Sequence, residues 1–205
     1  MFRKLSLPLL IFAFVSFLVF GSVVLSKEQL SETDIKESSL SESDENAILF
    51  NTVMDVLTHQ RCINCHPSDN VPKQGEDSHP HRFDITRNNI EAATNCNTCH
   101  QASNNDFSGV PGAPHWALAP HNMQWEGLSR IEIAKSILDP QKNGNRSHEE
   151  LMHHLTEHEL VMWAWEPGKD LNGQTRETPP VPKDKFISAV KKWIESGAII
   201  PENKN

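Results

Sequence analysis

All four cysteines of this 205-residue chain fall into two copies of one pentapeptide, Cys62-Ile-Asn-Cys65-His66 and Cys96-Asn-Thr-Cys99-His100. Two thiols three positions apart on a helical turn can add across the two vinyl groups of one porphyrin edge, and the imidazole that follows can reach the iron from below. The pattern reads as covalent haem attachment, and two copies read as two haems c. Cys62, Cys65, Cys96 and Cys99 are the expected anchors, with His66 and His100 the expected iron ligands.

Two other chemistries use paired cysteines. A single zinc could take both pairs, but thirty residues lie between Cys65 and Cys96, and the histidine after each pair would have no role. A thiol redox pair expects a strand before the motif and a helix after it, and neither copy has that setting.

The elements that must position these groups are helices and loops. From Ala47 to His59 the apolar residues repeat at helical spacing and lead directly into the first motif. Between the motifs the chain is short and polar, broken by Pro67, Pro72, Gly75 and Pro80. Gly109 to Pro120 is a Gly/Pro-rich loop suited to wrapping a rigid body. Three capping boxes mark helix starts: Ser129 with Glu132, Ser147 with Glu150, and Thr156 with Glu159. The first of these helices should stop near Asp139, before Pro140. A last helix over Lys183 to Ser196 carries Phe186, Ile187, Val190, Trp193 and Ile194 on one face and ends at Gly197. No alternating strand of useful length occurs. The expected fold is mainly α, a small helix-and-loop body with few or no strands enclosing two covalently bound haems.

The N-terminus supplies an address. After Arg3 and Lys4 no charge occurs until Lys27, and the 22 residues from Leu5 to Ser26 are dominated by Leu, Phe, Val and Ile. This is an export signal, either cleaved near Ser26 or kept as an inner-membrane anchor through residues 5–25. Residues 27–45 hold seven acids, two bases and five serines, the composition of a disordered acidic linker. Residues 46–205 are then one domain. Five of the nine phenylalanines lie in the export segment, which leaves the domain few large apolar side chains. Two porphyrins would supply flat apolar surface, so the haem-free chain should be poorly ordered. The formal charge of −8 disfavours nucleic acid and favours a basic redox protein as partner.

With only thirty residues between the motifs, the two porphyrins should be neighbours in one body. The helix before Cys62, the paired motifs and the ending Lys192-Trp193-Ile194-Glu195-Ser196-Gly197-Ala198 resemble c-type cytochromes. The runs Gly109-Val110-Pro111-Gly112-Ala113-Pro114-His115-Trp116 and Met123-Gln124-Trp125-Glu126-Gly127-Leu128-Ser129 are similar to those of di-haem proteins labelled as an isoquinoline 1-oxidoreductase subunit. That resemblance covers about residues 50–201 and implies a molybdenum hydroxylase as electron donor. Attachment completed outside the inner membrane, hence a periplasmic protein, is also what it implies.

The far side of each iron has several candidates. Met123, in a stretch resembling the methionine loop of single-haem cytochromes, follows His66 by 57 residues and is the first. The second is His81, fifteen residues from both His66 and Cys96, with His79 as a substitute. His59 shares a helix side with His66 and could reach only the other haem. His153, His154 and His158 are helically spaced, His154 being the candidate ligand among them. Where some cytochromes with this ending carry Met-Pro-Pro, the chain has Thr178-Pro179-Pro180, so that ligand must come from elsewhere.

These features describe an electron carrier rather than an enzyme, passing single electrons from a periplasmic dehydrogenase to a respiratory acceptor. A di-haem peroxidase is the alternative and would need an open iron with a nearby acid or base. A haem-based redox or gas sensor ranks below it and would need a separate output partner.

Overall fold

Helix α1, Glu42–Leu57, begins where Ser41 accepts the Asp44 amide through its side chain. Glu42, Asp44 and Glu45 fill the first turn, where carboxylates meet the positive end of the helix dipole. The acids read as linker composition thus include a helix start, because the same charges that forbid a core favour an N-terminus. The structure is a computed structural model and describes residues 41–88 and 96–202. The export segment and residues 27–40 of the linker lie outside the described residues.

The chain is mainly helical. After α1 come a single turn α2, Gln60–Ile63, and a minimal antiparallel hairpin, β1 (Lys73–Gln74) with β2 (His79–Pro80), in which Lys73 faces Pro80 and Gln74 faces His79. Tight three-residue turns cover Arg82–Asp84 and Cys96–Thr98. Helices α3 (Arg130–Leu138), α4 (His148–Glu157), the short α5 (Glu159–Met162) and α6 (Lys183–Glu195) complete the order. No helix among the described residues is long and apolar enough to cross a membrane.

Two of the three capping boxes form with both hydrogen bonds, at Ser129/Glu132 and Ser147/Glu150. The third does not. The Thr156 hydroxyl bonds back to the Met152 carbonyl at 2.8 Å, inside α4, and α5 starts at His158 without a side-chain cap. A threonine hydroxyl can satisfy a carbonyl one turn back as readily as an amide ahead, and here the helix ran past it.

The core is built mainly by α1, α3, α4 and α6, joined by Met123 and Trp125 from the loop before α3. Phe50, Val53, Met54 and Leu57 meet Phe186, Val190 and Trp193 of α6, with Ile133 and Ile137 from α3 and Leu151 and Leu155 from α4. Trp193 is fully buried, packs edge-on against Phe50 with centroids 6.4 Å apart, and donates its indole N–H to the Ile199 carbonyl. Burial of each such side chain stabilises by about 1.5–3 kcal/mol. Gly197, at φ 94, ends α6 in the left-handed region where a side chain would be strained, and lets the Ala198 amide return to the Trp193 carbonyl.

Candidate functional site

The first pentapeptide follows α1 as a continued turn. The Cys65 amide bonds the Cys62 carbonyl and the His66 amide the Ile63 carbonyl. A loop from the far side of the sequence closes over it: the Ala119 amide donates to the Cys65 carbonyl, and the Trp125 and Glu126 amides both donate to the His66 carbonyl. The Glu126 carboxylate in turn accepts from the Ser68 amide and hydroxyl, each at 2.8 Å. On the other flank the buried Arg61 pairs with Glu76 and donates through Nε to the Glu177 carbonyl, which fixes α2 to two distant loops.

This clamp orients the imidazole. His66 Nδ1 donates to the Met123 carbonyl at 2.8 Å, so the proton sits on Nδ1 and Nε2 keeps its lone pair. The ring lies flat on Trp125, centroids 3.6 Å apart and planes 7° from parallel. Burial pushes its pKa down to about 4, so the ring is neutral at ordinary pH.

The second pentapeptide repeats the arrangement with different partners. The His100 amide closes a turn on the Cys96 carbonyl, and His100 Nδ1 donates to the Pro111 carbonyl at 2.7 Å. The ring stacks on Trp116 at 4.4 Å and 6°. Trp116 packs edge-on against Trp163, whose indole N–H donates to Asn104 Oδ1 at 2.9 Å. The same oxygen accepts the Gly112 amide. A Cβ on Gly112 would sit 2.3 Å from the carbonyl oxygens of both Gln101 and Ser103, so only glycine lets this loop bring Pro111 to the histidine. Burial lowers the pKa of His100 as well.

No disulfide joins any of the four cysteines. Burial pushes Cys62 up to about 12 and Cys65 up to about 11, in the latter case against the opposing charge of Arg61, and raises Cys96. Among the described residues no group of three or more His, Cys, Asp and Glu is arranged to hold a metal ion. A Cys-x-x-Cys-His haem site asks for no such group, since its sulfurs bond carbon and one imidazole meets the iron.

The other candidates fall in distinct places. Met123 has its side chain buried in the core, while its carbonyl backs the Nδ1 edge of His66. His81 stands beside His100, ring centroids 6.0 Å apart. His79 has both ring nitrogens engaged, by Asp77 at 2.6 Å and Gln74 at 3.0 Å. His59 caps α2 by accepting the Arg61 amide. His154 stacks obliquely on His158 at 4.9 Å and lines a cavity of about 460 Å³ with Arg146, Glu149, Glu150 and His153.

Sequence reasoning gave no role to Trp116 and Trp125, and no spacing could have found them, since each reaches its histidine only through a folded-back loop. One observation tests whether these residues suit a porphyrin. The indole N–H of Trp125 is buried without an acceptor, a cost of about 1–3 kcal/mol that a bound group carrying oxygen atoms would relieve. With neutral imidazoles presenting free Nε2 lone pairs and paired thiols on one turn, the residues fit a covalently held haem at each motif.

Compared with protein-family models, curated proteins and solved structures, the chain has no significant match.

Proposed function

We propose that the chain is an exported di-haem c-type cytochrome that carries single electrons between a periplasmic dehydrogenase and a respiratory acceptor. The observation that supports this most is the duplicated setting of the two histidines: each donates Nδ1–H to a main-chain carbonyl and lies flat on a tryptophan. Two unrelated stretches of chain have no reason to converge on that arrangement unless both imidazoles serve the same chemistry through Nε2. A carbonyl on Nδ1 fixes the tautomer and raises the basicity of the other nitrogen, as it does behind metal-bound histidines generally.

In this reading Cys62 and Cys65 hold one haem and Cys96 and Cys99 the other, with His66 and His100 on the irons. The haems supply one-electron oxidation and reduction. The protein supplies ligand orientation: Trp125 and Trp116 stop each imidazole from turning, and the loops from Pro111 to Glu126 hold the carbonyls in place. The thirty residues between Cys65 and Cys96 support neighbouring porphyrins and electron passage between them. The acidic chain suits a basic protein partner. A molybdenum hydroxylase as donor rests on the resemblance of residues 109–116 and 123–129, and periplasmic location on residues 1–26.

A reductive titration tests the carrier role. The exported protein should take up two electrons per chain, return them to a soluble oxidised cytochrome, and show no turnover with hydrogen peroxide. Peroxide turnover with rapid ligand binding by the reduced protein would make it a peroxidase instead.

A further inference from the structure

His100 has a second imidazole beside it. His81 follows directly on β2, its amide donating to the Pro72 carbonyl at 2.8 Å and its Nδ1 to the Arg82 carbonyl at 2.7 Å. His100 uses Nδ1 in the same way, on Pro111. Both rings therefore carry their proton on Nδ1 and keep an Nε2 lone pair that no described residue engages. Their centroids are 6.0 Å apart and their planes cross at 69°. Two imidazoles on opposite sides of one metal, each with a metal–nitrogen bond of about 2 Å, place their ring centroids roughly 6 Å apart. Crossed planes are no obstacle, because two ligands on opposite sides of a metal need share only an axis, whatever the angle between their planes. His79, the nearest substitute in sequence, has both nitrogens occupied and cannot serve without breaking its bonds to Asp77 and Gln74.

Building on the reading of Cys96–His100 as a haem-attachment motif, we propose that His81 is the second axial ligand of the iron held by His100, which makes that haem a bis-histidine centre closed to external ligands. The chain delivers this ligand from a different segment than the methionine loop of single-haem cytochromes. The hairpin β1–β2 sets its position, and Arg82 sets its tautomer. Bis-histidine ligation places this haem at lower potential than a methionine-ligated one, so it is a transfer site rather than a place where substrates bind.

The test uses the full exported protein with its haem content counted by pyridine haemochrome. Wild-type protein should show a low-spin bis-histidine signal in its magnetic resonance spectrum. In His81→Ala, two haems per chain should remain, one should become high-spin and bind carbon monoxide when reduced, and added imidazole should restore the low-spin signal. His79→Ala should change none of these, and His81→Met should raise the potential of one haem. An unchanged low-spin spectrum in His81→Ala, with no carbon monoxide binding, overturns the proposal. Should that variant fail to accumulate, the wild-type spectrum decides, since absence of a bis-histidine signal overturns the pairing. A wild-type protein without haem would instead remove the reading beneath it.

Discussion

The imidazole of His66 lies on the indole of Trp125 at a centroid distance of 3.6 Å, with the two planes only 7° from parallel. Trp125 is buried, and its main-chain amide also holds the His66 carbonyl, so one residue fixes the histidine from below and from behind. Trp125→Ala should therefore cost about 3–5 kcal/mol of stability. Trp125→Phe keeps an aromatic face for the stack while losing part of the volume, and should cost distinctly less than Trp125→Ala. Urea unfolding of the two variants separates stacking from mere core filling: equal losses would deny the stack its role.

Stability should be unevenly distributed. The core of α1, α3, α4 and α6 is packed from side chains, whereas residues 64–88 and 96–120 hold only the two-residue hairpin strands, two three-residue turns and loops tied to the motifs by hydrogen bonds. The composition alone suggests a haem-free chain that is poorly ordered throughout. The packing narrows that expectation to the loops. Hydrogen exchange on haem-free protein should show protected amides in α1 and α6 and rapid exchange between residues 96 and 120. Uniform protection would contradict it.

The two formed capping boxes give a small, separable effect. Ser129→Ala and Ser147→Ala should each lower stability by about 1 kcal/mol. Thr156→Ala, by contrast, removes only a back-bond within α4 and no cap, so it should cost less than either serine change. Denaturant midpoints of the three variants would show the order.

Acid should destabilise the α4 region through His154. Burial, then Arg146, His158 and His153, push its pKa down to about 4 from an ordinary 6.5. Between those values the unfolded chain binds more protons, so stability is complete above the ordinary value and is lost as pH falls toward the folded one. Glu149 and Glu150 line the same cavity. His66, shifted in the same direction, adds to the slope in haem-free protein. His154→Gln should flatten the stability–pH profile between pH 4 and 6.5 without abolishing its slope. An unchanged slope would show that the ring is not buried neutral.

Much of this was legible before folding. Serine and glutamate three apart announced α3 and α4, and the apolar face of Phe186, Val190, Trp193 and Ile194 announced α6 within a residue of its end. The Thr156 box misled because a hydroxyl serves a carbonyl behind it or an amide ahead with equal chemistry, and local sequence does not say which. The cysteines and their histidines were visible as spacing. Their supports were not, because Trp125 and the Met123 carbonyl reach His66 across 57 to 59 positions, and a main-chain carbonyl leaves no signature in side-chain identity. Spacing ranks His81 ahead of His79 by its equal distance from His66 and Cys96 but gives neither ring a bonding state. The bonds to Asp77 and Gln74, which use up the His79 ring, separate them.

The most direct measurement is the mass of the exported protein under denaturing conditions, read together with its pyridine haemochrome spectrum. The wild type should carry two haems that survive denaturation. The Cys62→Ser/Cys65→Ser and Cys96→Ser/Cys99→Ser pairs should each carry one. A colourless wild-type protein of unmodified mass, with four free or disulfide-bonded thiols or a bound zinc ion, would contradict the account.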